Sequence, residues 1–138
     1  MTPVLRRWSR SLAALGRERD RGALSLELMM VFPAVLLLVM LTVHVGLWWH
    51  ARNVALAAAQ QGVERARVRG ASIATGTAEA QSFVGRAGGS ISGAQVSGSR
   101  GGQTVRIEVS GHVDTLIPGL KLPVSQHAEA ATERITQP

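Results

Sequence analysis

From Leu28 to Trp49 the chain runs LMMVFPAVLLLVMLTVHVGLWW, 22 residues in which only Thr42 and His44 are polar. No other feature limits the fold as much. As a helix rising ~1.5 Å per residue this stretch reaches ~33 Å, enough to cross a hydrocarbon core of ~30 Å. A soluble core helix of this kind would need apolar cover on all sides. A chain of 138 residues with two Phe and three Trp has little cover to offer. The segment therefore spans or inserts into a membrane.

Charge sets its direction. Arg6, Arg7, Arg10, Arg17, Arg19 and Arg21 face only Glu18 and Asp20 in residues 1–22, which places +4 of the formal +6 in a short leader. Basic residues beside a span stay cytoplasmic, so the N-terminus is expected inside and residues 50–138 outside, with Trp48 and Trp49 at the outer membrane interface. Because the excess charge sits in the leader, it reads as a topology signal, and no nucleic-acid partner is expected. A cleaved secretory signal would have an apolar core of about 7–15 residues, well short of this one, although Ala55-Leu56-Ala57 offers a weak cleavage site. Arg6-Arg7 lies too far from the apolar run for a twin-arginine signal.

The absence of cysteine excludes a disulfide framework, a thiolate zinc site and a cysteine nucleophile. His112, Asp114, His127 and Glu129 are the remaining candidates for metal or acid–base chemistry, and their H-x-D and H-x-E spacing arises easily on the polar face of a strand. No catalytic residue, metal, cofactor or small-molecule substrate is expected. The glycine-rich stretch Gly85–Gly89 lacks the lysine and preceding strand of a phosphate loop.

After Trp49 the helix should continue through ARNVALAAAQQGVERARV, where Ala51, Ala55, Ala59, Gly62 and Ala66 fall on one face. That stripe suits either the protein's own sheet or a seam between subunits. Gly70 is the expected C′ residue. A linker ASIATGT should lead to a short helix near AEAQSFVGRA, with Phe83 and Val84 buried. Strands are expected over 94–99 and 103–113 around a turn at Arg100-Gly101-Gly102, since Val105, Ile107, Val109 and Val113 alternate with polar residues. DTLIPGLKLP, with Pro118 and Pro123, reads as a crossing loop. Residues 122–135 suit a third strand, although HAEAATERI also suits a helix by propensity; the strand is favoured because a two-stranded hairpin alone is marginal. The fold class is α+β: a long N-terminal transmembrane helix that continues outside the membrane, then a small antiparallel sheet of about three strands with a short helix.

Glu27 stands where the apolar run begins. An ionised carboxylate there needs a partner or a route to water. It could snorkel to headgroups or pair with Arg19 or Arg21. Yet it is also the fifth residue after Gly22, which follows the basic leader, and this spacing resembles the processing site of type IV prepilins. The resemblance implies that a prepilin peptidase cuts after Gly22, that Ala23 becomes the N-terminus, and that its amine pairs with Glu27 of an adjacent subunit.

Beyond the cut, Pro33, Gly46, Arg52, Ala58, Ala59 and Gly62 complete a pattern over about residues 21–66 that is similar to the TadE-like family of minor pseudopilins, which serve tight-adherence (Flp-type) pilus assembly. The chain departs from the family pattern at His44, where an acidic residue is common, and at Gly62-Val63-Glu64. The resemblance implies a structural, non-enzymatic protein of the bacterial cell membrane, whose partners are the prepilin peptidase, pilin or other pseudopilins, and the assembly platform. It divides the chain into a cleaved cytoplasmic leader (1–22), a transmembrane helix (23–49), an extracytoplasmic extension (50–69) and a small α+β domain (70–138). The competing reading is a single-pass, signal-anchored envelope protein with a ligand-binding or regulatory outer domain.

Overall fold

A computed structural model describes residues 5–117 and 119–133 of the chain, with side chains from Glu27 onward. The chain divides into two compact units, Met1–Thr42 and Val43–Pro138. Helix α1 runs over Leu5–Arg67 and contributes to both.

In the first unit the described structure is helix throughout. Pro33 lies inside it, where its missing N–H removes one bond to the preceding turn. Thr42 folds its hydroxyl back onto the Leu38 carbonyl at 2.9 Å, so this polar group is satisfied within the helix.

The second unit holds the rest of α1, helix α2 (Ile73–Arg86) and the strands β1 (Ser92–Gly101), β2 (Thr104–Asp114) and β3 (Lys121–Ala131). The strands form one antiparallel sheet in the order β1-β2-β3. This is the α+β architecture expected, with the third strand in place. Val105, Ile107 and Val109 of central β2 are fully buried, which is the period-2 pattern of a strand covered on one face. Ile107 and Val109 belong to one cluster with Ala51, Ala55, Ala58, Ala59 and Val63 of α1, Ala80 and Val84 of α2, and Val124 of β3.

Several local expectations shift. Helix α2 starts at Ile73 and takes in most of the stretch read as a linker. Ser72 is its N-cap, and its hydroxyl accepts the Thr75 N–H at 3.1 Å. The weak helix formers that follow are held by packing, which outweighs propensity: Gly76, Ala80 and Val84 are buried. Gly70 does have positive φ, +80°. It sits in a turn closed by the Ala71 N–H on the Val68 carbonyl, after a helix that ends at Arg67, and is not the C′ residue. The carbonyls left open at the end of α1 are met from a distance: Arg100 donates to Ala66 O at 2.8 Å and the Glu133 N–H to Arg67 O.

The first hairpin extends further than expected, pairing Arg100 with Val105 and Gly101 with Thr104. Its two loop residues are therefore Gly102 and Gln103. Positive φ at Gly102 alone is the type II′ arrangement, which matches the twist of the strands. DTLIPGLKLP is not a crossing loop. Asp114 pairs with Lys121, so residues 115–120 are the loop of a second hairpin and Pro123 lies within β3. An edge strand tolerates a proline whose absent N–H is not needed by the ladder. Pro118 and the expected strand end near Ile135 lie outside the described residues.

Candidate functional site

The Gly22–Ala23 bond lies in α1. Glu27 is exposed at the head of the apolar stretch, and no ion pair involving it occurs among the described residues; the side chains of Arg19 and Arg21, weighed above as its partners, lie outside them. Next to it Leu28, Met29, Met30, Val31 and Phe32 are all at least half exposed, as are Leu36, Leu37 and Leu38. Among the described residues one helix, Glu27–Arg67, is long and apolar enough to cross a membrane. A single helix of this kind near the N-terminus fits a single-pass membrane protein.

His44, in contrast, is only 9% exposed. Its Nε2 accepts the Leu116 N–H at 3.1 Å, so the ring acts here as a polar packing residue for the β2–β3 loop. One turn later the Trp48 indole N–H donates to the Pro123 carbonyl at 3.2 Å, and the Arg52 guanidinium lies 4.8 Å from the Trp48 ring centroid, within cation–π range. The two tryptophans assigned together to a membrane interface thus differ: Trp48 packs on the sheet, whereas Trp49 is 61% exposed. A Cβ added at Gly46 would meet nothing.

The small-residue face beyond Trp49 packs on the protein's own core. Ala51, Ala55, Ala58, Ala59 and Ala66 are fully buried. At Gly62 a Cβ would lie 2.8 Å from the Gly76 carbonyl oxygen and 3.0 Å from Ala80 Cβ. Helices α1 and α2 therefore approach each other through two glycines, a contact for which the i, i+4 spacing was the available signal but which names no partner by itself.

The acid–base candidates separate along the sheet. His112 Nε2 lies 3.5 Å from Asp114 Oδ1, and Asp114 also accepts the Ser92 hydroxyl. His127 is registered against Glu108, four residues away from His112 on β2, and Glu129 pairs with Arg106 at 2.7 Å. No group of three or more His, Asp or Glu among the described residues could hold a metal ion. A groove of about 470 Å³ along α1 and α2 is lined by Gln60, Gln61, Glu64, Arg65 and Phe83, among others. Its carboxylate, Glu64, pairs with Arg67 at 2.7 Å.

Among known proteins, residues 22–64 match the model of a family described as TadE-like protein. The match begins at Gly22 and contains Glu27, Pro33, Gly46, Arg52, Ala58, Ala59 and Gly62; it covers helix α1 and none of the sheet. No curated protein and no solved structure matches the chain.

Proposed function

We propose that this chain, TadE-like over residues 22–64, is a minor pseudopilin: a structural component needed to assemble a tight-adherence (Flp-type) pilus or a related secretion system. The observation that carries the reading is the glycine of a basic leader set five residues before a carboxylate, at the start of a bare apolar helix. In this reading residues 1–22 are a cytoplasmic leader, residues 23–49 span the membrane with the N-terminus inside, residues 50–69 extend the helix outside, and residues 70–138 form the outer α+β domain. The arginine cluster supports that direction.

A prepilin peptidase cuts after Gly22. The bond lies in helical backbone, so the substrate must unwind there. A glycine helps, because it is worse than alanine in a helix by about 1 kcal/mol, and its missing side chain suits a narrow cleft. The new amine of Ala23 is then neutralised by Glu27 of the adjacent subunit, each subunit supplying one charge of each sign. In hydrocarbon a lone charge is expensive and a paired one tolerable, so the pair selects register more than it adds stability. Pilin, other pseudopilins and the assembly platform are the partners, and no enzymatic step of its own is involved.

N-terminal sequencing of protein from native membranes should begin at Ala23, and Gly22→Val should retain the leader. Glu27→Ala should still be cut but should fail to cross-link to pilin or pseudopilins, since deleting one partner of a buried pair costs about 3–5 kcal/mol. A mature protein that keeps Met1 in the presence of the peptidase, with Glu27→Ala behaving as wild type, would instead favour a signal-anchored envelope protein with a ligand-binding or regulatory outer domain.

A further inference from the structure

The β2–β3 loop presents three large aliphatic side chains that remain about half exposed or more. Leu116, Ile117 and Leu120 are 64%, 50% and 45% exposed. From Thr115 to Leu120 the sequence TLIPGL carries no charge, and Asp114 and Lys121 close it on either side. A soluble loop is normally polar, and a clustered apolar patch marks a contact.

Its position says with what. The Leu116 N–H is bonded to His44, and His44 lies five residues inside Trp49, about 7.5 Å along the helix at ~1.5 Å per residue. The loop is therefore level with the last turns of the apolar run, beside Val43, Val45 and Leu47, which are 46%, 56% and 45% exposed. The loop and these helix residues belong to the same compact unit.

The loop backbone also suits a medium poor in water. Besides the Leu116 N–H, the Ile117 N–H donates to Thr115 Oγ1 and the Leu120 N–H to the Ile117 carbonyl, while the Thr115 hydroxyl meets the Ile117 and Leu120 carbonyls at 3.0 and 2.9 Å. Polar groups satisfied internally are what lipid demands of non-helical backbone. Lys121, the chain's only lysine, is exposed at the base of the loop, where its flexible stem allows the ammonium to reach headgroup phosphates.

We propose that Leu116, Ile117 and Leu120 insert into the boundary region of the lipid bilayer at the Trp49 end of the span, giving the sheet-bearing unit a membrane contact of its own beside the helix. The loop then limits how that unit can tilt and turn over the membrane. This rests on the helix spanning a bilayer, and the test separates the two.

The cysteine-free chain accepts single cysteines directly. Leu116→Cys, Ile117→Cys, Val39→Cys and Ser99→Cys, all at exposed positions, are labelled with a nitrobenzoxadiazole fluorophore. Each full-length protein is reconstituted in phosphatidylcholine vesicles containing lipids spin-labelled at a shallow or a deep acyl carbon. Labels at 116 and 117 should be quenched severalfold more than the label at 99, and more by the shallow spin label than by the deep one. The label at 39 should show the reverse depth preference. If 116 and 117 respond as weakly as 99 while 39 is quenched, the loop proposal fails and the spanning helix stands. If 39 also escapes quenching, both fall. Blue-shifted emission at 116 and 117 without quenching would mean that a protein surface, such as a second copy of the chain, covers the loop, and would overturn the lipid assignment.

Discussion

Two stretches of helix α1 differ in side-chain size and in what meets them. Residues 28–43 are built mainly from Leu, Met, Val and Phe, and twelve of these large side chains are exposed. Residues 51–66 present Ala and Gly on one face, and that face is buried to completion at Ala51, Ala55, Ala58, Ala59 and Ala66. Full burial is worth about 1.5–3 kcal/mol for each large aliphatic, so the first stretch has the more to gain and, among the described residues, receives only part of it. Water is a poor medium for such a surface. The second stretch gains little per residue, and its small side chains serve a different end: they let the backbone of α1 approach α2 and the sheet. Among the described residues, bulk marks where most of a side chain is left exposed, and smallness marks where a close neighbour packs.

Added bulk on the covered face should do the most damage. Gly62→Val places atoms against the Gly76 carbonyl oxygen, already 2.8 Å from an ideal Cβ, and should destabilise the second unit by about 1–3 kcal/mol, the usual cost of overpacking. Thermal unfolding of the detergent-solubilised protein measures it, and an unchanged Tm would mean that α1 and α2 do not cross there. Trp48→Phe keeps an aromatic ring beneath Arg52 but deletes the N–H that reaches Pro123, and should cost about 0.5–1.5 kcal/mol in the same measurement. No loss would mean that the Trp48–Pro123 bond contributes nothing to the second unit.

Gly46 tests the border between the two regimes. A Cβ there meets nothing within the chain, so Gly46→Ala should raise stability by about 0.5–1 kcal/mol through helix propensity. A fall in assembly alongside that gain would show that another subunit's helix comes close at Gly46. The smallest effect belongs to Leu37→Ala, whose side chain is exposed: the unfolding of the second unit should move by less than about 0.5 kcal/mol. A larger shift would mean that the bare stretch is covered after all.

The sheet was legible because its signals are local. Val105, Ile107, Val109 and Val113 alternate along β2, and two successive glycines announce the first hairpin; the third strand followed from the need to complete a sheet. The start of α2 was obscured because Ile73, Thr75, Gly76 and Thr77 are weak helix formers, and Ser72, the cap at the boundary, is one of many serines. Pro118 and Pro123 argued against a hairpin between β2 and β3, yet β3 is an edge strand, where such a residue is harmless. Nor could the sequence tell that Trp48 and Trp49, adjacent and identical, turn to different surroundings.

What the sequence determined by itself is whatever depends on spacing and composition within a short window: a run long enough to span a bilayer, the arginines before it, the Gly22 to Glu27 interval, and the alternation of β2. What only the tertiary structure decided is the identity of each residue's neighbour. His44 meets a loop 72 residues further on, Arg100 caps a helix that ended 33 residues before it, and the alanine stripe faces the protein's own sheet. Side-chain periodicity fixes which residues share a face; which surface covers that face depends on how distant segments pack, and local spacing carries no record of it.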